Sequence, residues 1–400
     1  MADLSFLPAW PPENWELALF AGLLLVGFAA GELLRRLYLP RLTGYLLIGL
    51  ALGESGLGLI DTAVLRHADV LVEAGLGLLL FELGQRLDLD WLRHEPWLWF
   101  TSLGEIVLTW GLVFGGLVWF GFTPLDAALL GALAICTSPL IVMALVREHG
   151  ADGQVSNRAL TLTALNSLAS FVLLAMLLAP VHLEYSGSWP RVGLHPLYLL
   201  AGSLALGGAM FLLLLNLARW LGKDSSTQFA LAIGVVLLGV GAALSLKLPV
   251  LGAMLTLGLL VKNADPRRHI RHIDFGSGME LFFVTLFIAA GATARLAPDL
   301  AVLQAALLLI GLRFIGKSLP VLGFAALTPL GLRRAGLLCL TLTPLSGFAA
   351  LLVIDTTRTY PQLSPAVVQV TLTAVLLLEL AGSVLAHIAL TRSGEGREES

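Results

Sequence analysis

Ala134-Ile135-Cys136-Thr137-Ser138-Pro139 and Cys339-Leu340-Thr341-Leu342-Thr343-Pro344-Leu345-Ser346-Gly347 each place a proline inside a long hydrophobic run. A proline deep in a lipid-embedded helix removes a backbone donor and clashes with the preceding turn. The helix therefore breaks where neighbouring hydroxyls can satisfy the freed groups. Thr137, Ser138, Thr343 and Ser346 stand at those places. Either motif alone reads as a proline kink. Breaks at matching positions of two halves, here Pro139 and Pro344, are instead the pattern of a secondary transporter whose substrate site lies at the membrane midplane.

Outward from these motifs the chain reads as lipid-embedded. Of 400 residues, 57% are hydrophobic and 13% charged, against about 25% charged in a soluble domain, and the mean hydropathy is +0.88. The expected fold class is all-α integral membrane. Runs of about 20 apolar residues give thirteen predicted spans, near 15–34, 42–60, 70–87, 97–121, 125–146, 159–180, 197–217, 228–246, 249–261, 279–296, 300–327, 335–354 and 365–390. The ninth is short for a full crossing. Met1 to Pro12 lacks the basic start and cleavage site of a signal peptide, so the first span is expected to be retained. Cys136 and Cys339 lie in apolar spans beside the breaks and read as packing residues, not as a disulfide framework. The net charge of -3 says little, since the distribution of charge matters more than its sum here, and no nucleic-acid partner is suggested. With no nucleotide loop, metal-ligand cluster or nucleophile elbow in the short loops, the reading is a transporter without cofactor and not an enzyme.

An odd number of spans puts the termini on opposite sides. Seventeen Lys and Arg residues share the side of the C-terminus and five the other. The positive-inside rule then places the N-terminus outside and the C-terminus in the cytoplasm, in a bacterial inner membrane. The two remaining basic residues, Arg313 and Lys317, fall inside the eleventh span. The halves also repeat. Leu39-Pro40-Arg41-Leu42 through Leu50 aligns with Leu248-Pro249-Val250-Leu251 through Leu259 at an offset of 209, and Pro139 aligns with Pro344 at 205. Two landmarks thus agree on one repeat length. Seven crossings separate the aligned second and ninth spans, so the repeats, about 15–180 and 228–390, are predicted to be inverted around a linker span near 197–217. Residues 1–14 form an N-terminal segment, 15–390 one transmembrane domain of interleaved core and dimerisation parts, and 391–400 a polar tail expected to be disordered.

Four further stretches carry a family resemblance: Leu39-Pro40 to Gly49 with Gly53-Glu54-Ser55-Gly56-Leu57-Gly58-Leu59-Ile60; Leu78-Leu79-Leu80-Phe81-Glu82-Leu83-Gly84-Gln85-Arg86-Leu87-Asp88-Leu89; Phe282-Phe283 to Phe287 with Gly291; and Gly316-Lys317. On these the chain resembles the monovalent cation:proton antiporters, its Kef-like branch and the sodium-hydrogen exchanger membrane domains. The resemblance implies thirteen spans, crossed broken helices in spans five and twelve, a homodimer formed through a scaffold, and a core that carries K⁺ or Na⁺ against protons by an elevator-like movement. It also implies an Asn, Gln or Asp followed by an ion-binding Asp in the sixth span, with a lysine matching Lys317 nearby. The matching place here reads Leu165-Asn166-Ser167-Leu168, so that aspartate is absent. The acidic motif of the twelfth span is likewise replaced by Thr343-Pro344-Leu345-Ser346-Gly347-Phe348.

A carboxylate exchanges a proton for a cation because both compete for one negative charge. Ser167 can coordinate a cation but cannot titrate. The cation is therefore expected near Asn166, Ser167, Thr137, Ser138, Thr343 and Ser346, with Glu379, Glu105 or Lys317 left to carry the proton. Arg313 and Lys317, four residues apart on one helical face, should turn from lipid to the core. Glu379, near the repeat equivalent of Asn166, is the leading partner for them, and Glu105 the second. Glu82, Glu280 and His387 read as interfacial or structural, and the basic loop 262–271 as an anchor at an anionic leaflet. Two other readings keep the fold. One is an uncoupled facilitator or an anion carrier using a net positive core at Lys317 and Arg313, and the other a transport-dead regulatory subunit.

Overall fold

The computed structural model describes residues 16–53, 55–60, 62–186, 189–221, 225–265, 270, 278–293, 299–346, 349 and 364–396. The predicted N-terminal segment, half of the basic loop 262–271 and nearly all of the twelfth predicted span beyond Ser346 lie outside the described residues. Among those described, the regular elements are helices: α1 (Glu16–Arg36), α2 (Arg41–Leu52), α3 (Thr62–Gln85), α4 (Leu89–His94), α5 (Pro96–Phe120), α6 (Pro124–Ile135), α7 (Pro139–Glu148), α8 (Gln154–Ser186), α9 (Trp189–Leu221), α10 (Ser225–Ser245), α11 (Val250–Asn263), α12 (Gly278–Thr293), α13 (Leu300–Ala325), α14 (Gly331–Thr341) and α15 (Pro365–Ser393). Seven segments, one of them α6 and α7 together, are long and apolar enough to cross a membrane. Arg41–Leu52, Val250–Asn263 and Met279–Ala292 are shorter apolar helices. The chain is an integral membrane protein of the all-α class.

Local chemistry sets the helix ends. α5 opens on Pro96, where a missing N–H is harmless, and closes on Gly121 at φ 106, a left-handed cap that favours glycine. Thr123 caps α6 through the N–H of Asp126, and Ser364 caps α15 through that of Ala366. Asp88 caps the short α4 by accepting from the backbone N–H groups of Asp90 and Trp91. These donors, that of Trp91 first, hold its carboxyl below the usual range.

The two halves pack as pseudo-symmetric counterparts. α2 lies on α12, and α3 on α11. At the first contact a Cβ on Gly49 would meet the carbonyl of Ile288 and stand 3.0 Å from the Cα of Gly291. At the second, a Cβ on Gly258 would meet the carbonyl of Phe81 and stand 2.9 Å from the Cα of Gly84. Gly49 and Gly258 are the repeat partners of one alignment, so the same backbone approach recurs in both halves. Only residues without a side chain permit it. Around the breaks, α5 lies on α13 and α6, α6 on α8, and α14 on α13 and α15. Apolar residues such as Val113, Leu130, Leu174, Ala306 and Ala374 seal this second group.

Three of the basic side chains predicted to share one side, Arg41, Arg86 and Arg147, stand beside carboxylates of other helices or of their own. Arg147 of α7 donates to Glu82 of α3 at 3.0 and 2.6 Å, and Arg86 stands 3.7 Å from the same carboxylate, which is 1% exposed. Arg41 pairs with Glu280 at 3.0 Å, and the rings of His149 and His387 meet edge to face. Breaking a buried pair by removing one partner costs about 3–5 kcal/mol. Glu82→Gln is accordingly expected to lower the melting temperature in detergent by several degrees. An unchanged melting curve would show that this pair does not fasten α3 to α7.

Past Leu390 the chain stays helical to Ser393, and Glu395 accepts from the backbone N–H groups of Val155 and Ser156 at 2.7 and 2.9 Å. Its carboxylate satisfies donors at the N-terminal turn of α8, the favourable place for negative charge on a helix. A polar composition gave no sign of this tertiary contact.

Candidate functional site

α6 stops at Ile135 and α7 resumes at Pro139, leaving Cys136, Thr137 and Ser138 non-helical. α14 stops at Thr341, and residues 343–346 continue without helical structure. The two interruptions touch, because the N–H of Ser138 donates to the carbonyl of Pro344 at 3.1 Å. Ser138 Oγ caps α7 by accepting from the N–H of Ile141 at 3.3 Å, and Pro139 occupies the first helical position, where it loses nothing. From the other side α15 presses close at Gly382, where a Cβ would stand 3.0 Å from the Cα of Pro344.

Arg313 enters this crossing from α13 and is 1% exposed. Its Nε donates to the carbonyl of Ala134 at 2.9 Å and its Nη1 to that of Thr343 at 2.6 Å. Nη2 lies 2.9, 3.3 and 3.1 Å from the carbonyls of Cys136, Leu342 and Pro344. These oxygens lie at or just beyond the C-terminal ends of α6 and α14, where each helix dipole is negative, and that of Pro344 also accepts from Ser138. One planar guanidinium closes both ends.

One turn along α13, Lys317 Nζ donates to Thr137 Oγ1 at 2.9 Å and lies 3.5 Å from Glu105 Oε2. Asn166 Nδ2 donates to the same Oε2 at 2.6 Å. Glu105 and Asn166 are fully buried, and Lys317 is 2% exposed. The site thus joins α5, α8 and α13 at the non-helical stretch between α6 and α7. Glycine 316 makes the approach possible, since a Cβ there would stand 2.6 Å from the Cα of Thr109 on α5.

Other expected site hydroxyls are turned into the scaffold of the crossing. Ser167 Oγ lies 2.8 Å from the carbonyl of Thr163 and 3.1 Å from that of Thr137, and Thr343 Oγ1 donates to the carbonyl of Leu340 at 2.7 Å. Ser346 is buried as well, and its backbone carbonyl, not its hydroxyl, accepts from the N–H of Ala349 at 2.9 Å. One expectation is corrected. Glu379 is buried on α15, but the carboxylate beside Lys317 is Glu105, and among the described residues Glu379 makes no ion pair. Repeat arithmetic pointed to the counterpart of α8. The pairing runs instead between α5 and α13, themselves repeat counterparts lying side by side. Of the two cations behind the anion-carrier reading, Lys317 faces a carboxylate and Arg313 faces carbonyls.

Sequence reasoning missed Thr109 and Thr163. Both are fully buried with no hydrogen bond to their hydroxyls among the described residues. The spacing held the signal, since Thr109 is four residues after Glu105 and Thr163 three before Asn166, each pair on one helical face.

Opposite charges are thus buried where the stretch between α6 and α7 meets the residues that follow α14, the kind of place where intramembrane ionisable groups mark an ion pathway. The profile of the sodium/hydrogen exchanger transmembrane family matches residues 20–391, and the chain belongs to that family. The Na⁺/H⁺ antiporter NhaS5 of Synechocystis sp. is 28% identical over 281 residues, 68% of this chain and 39% of that protein. The match thus spans well under half the length of that relative. Two structures of the sodium proton antiporter MjNhaP1 from Methanocaldococcus jannaschii share the fold. The structure at pH 8 gives a TM-score of 0.64 at 17% identity, and the electron-microscopy map 0.71 at 14%. Each covers 94% of this chain and 95% of that one.

Proposed function

We propose that the chain exchanges Na⁺ for H⁺ across the membrane at the helix crossing, with Glu105 and Lys317 as the exchanging unit. The observation that carries this reading is the fully buried carboxylate 3.5 Å from a buried ammonium at the meeting of the two breaks. A carboxylate beside one ammonium holds either that proton-bearing cation or a metal cation as its counter-charge. Arrival of Na⁺ therefore releases a proton, and arrival of a proton releases Na⁺. Family membership supports sodium over potassium as the cation. Movement of α5–α8 with α13–α15 against the remaining helices supplies alternating access in this reading, with the C-terminus cytoplasmic and two chains paired. Across the two groups Arg147 pairs with Glu82, the backbone of Arg41 donates to Glu148 and Thr43 meets Ser383, contacts that such a movement has to break.

The test uses purified protein in proteoliposomes with a pH-sensitive dye inside. Added Na⁺ should discharge an acid-inside gradient, K⁺ should do so less effectively, and choline not at all. Dissipation that is the same with choline as with Na⁺ would identify a proton leak and overturn the reading.

A further inference from the structure

Helical threonines in this protein follow a habit. Thr101, Thr161, Thr256, Thr285, Thr341 and Thr371 each donate their hydroxyl to the carbonyl four residues earlier. That bond is the ordinary way for a threonine to satisfy itself in an apolar helix. Thr109 and Thr163 do not make it, although both are fully buried. Beside them two more oxygens lack a partner among the described residues. Glu105 Oε1 is idle while Oε2 takes both Lys317 and Asn166, and Asn166 Oδ1 is idle while Nδ2 binds Glu105. Leaving buried polar atoms unpaired is costly, and such groups call for an ion or water to explain them.

The four residues stand on two helices in contact, α5 and α8. Glu105 and Thr109 share a face of α5, Thr163 and Asn166 a face of α8, and the 2.6 Å bond from Asn166 to Glu105 holds the two faces together. Gly316 of α13 packs directly against Thr109, since a Cβ at that position would stand 2.6 Å from Thr109 Cα and 3.0 Å from its Oγ1. The alternative donors nearby are taken. Arg313 holds the break carbonyls of Ala134, Cys136, Leu342, Thr343 and Pro344, and the carbonyl of Thr137 accepts from Ser167. A hard cation needs oxygen ligands, and among the described residues these four on α5 and α8 are unspent, as is Ser318 Oγ on α13.

We infer that Glu105 Oε1, Asn166 Oδ1, Thr109 Oγ1 and Thr163 Oγ1 form the Na⁺ site, so that the charge of the site enters from α5 and compensates for the serine at position 167. This rests on the exchanger reading for its substrate, but its ligands are testable apart from transport. Thr109→Val and Thr163→Val are close in shape and remove only a hydroxyl that has no partner. Two quantities are measured: the melting temperature in detergent as NaCl replaces choline chloride at constant ionic strength, and the Na⁺ dependence of exchange in proteoliposomes.

The parent should be stabilised by Na⁺, while each valine variant should match or exceed its stability in choline. Each variant should also need roughly tenfold more Na⁺ for half-maximal effect in both measurements. Parental Na⁺ dependence in both variants would overturn the site while leaving the exchanger reading intact. A Na⁺-dependent melting shift that the valines abolish, in a parent that exchanges nothing, would support the site and overturn the exchanger reading. A variant less stable in choline than the parent would show that its hydroxyl serves the fold, and would remove that residue from the site.

Discussion

Glu105→Gln is expected to abolish Na⁺-driven proton exchange outright. Glutamine keeps the length of the side chain and can still accept from Asn166, but it neither titrates nor attracts a cation. Lys317 is then left buried without its carboxylate, 3.5 Å away in the parent. Removing one member of such a pair costs about 3–5 kcal/mol, so loss of activity alone could reflect loss of fold. Glu105→Gln combined with Lys317→Met separates the two effects. Replacing both charges by neutral groups of similar size should restore the melting temperature, yet exchange should stay absent. Recovery of exchange in the double variant would remove Glu105 from its proposed role. Adding Ser167→Asp to Glu105→Gln returns a carboxylate to the crossing, beside the carbonyl of Thr137, and should recover part of the exchange. In the parent the two substrates compete for one site. Lowering the pH should therefore raise the Na⁺ needed for half-maximal rate, approaching about tenfold per pH unit where the site is mostly proton-filled.

The fold was legible in the sequence because its determinants are local or repetitive. Pro139 and Pro344 mark the interruptions, and the Leu-Pro landmarks at 39–40 and 248–249 give the repeat. Gly49, Gly84, Gly258 and Gly291 stand in the quoted motifs without revealing that they face one another, since contact between helices far apart in sequence leaves no local mark. The site was half legible. The apolar surroundings of Arg313 and Lys317 forced both inward, and Asn166 lay at the expected position on α8. What failed was partner assignment. Glu379 and Glu105 are equally acidic residues in apolar spans, and only packing of α5 on α13, permitted at Gly316, selects Glu105. Thr109 and Thr163 are two helical threonines among many, and only their unspent hydroxyls set them apart. The ordered Glu395 belongs with these cases, because its worth comes from the start of α8, 240 residues away from it in the bond to Val155.

Arg313 should be the residue whose loss the fold tolerates least. Its guanidinium satisfies carbonyls of five residues drawn from both interruptions. Each buried carbonyl stripped of its donor costs roughly 1–3 kcal/mol, and water cannot easily replace the donor at a position that is 1% exposed. Two helix C-termini would also face each other without the positive charge between them. The combined loss is comparable to the whole net stability of a domain, about 5–15 kcal/mol. Arg313→Ala is therefore expected to yield little monodisperse protein by size-exclusion chromatography. Arg313→Lys keeps the charge but offers three donors from one point, which cannot span oxygens on two chain segments. It should fold with a clearly lowered melting temperature, and its folded fraction should keep the parental Na⁺ dependence, because Arg313 touches none of the four oxygens assigned to the cation. Arg313→Lys with parental stability but altered Na⁺ dependence would reverse that assignment and make the guanidinium part of the transport site rather than the clasp that holds the crossing together.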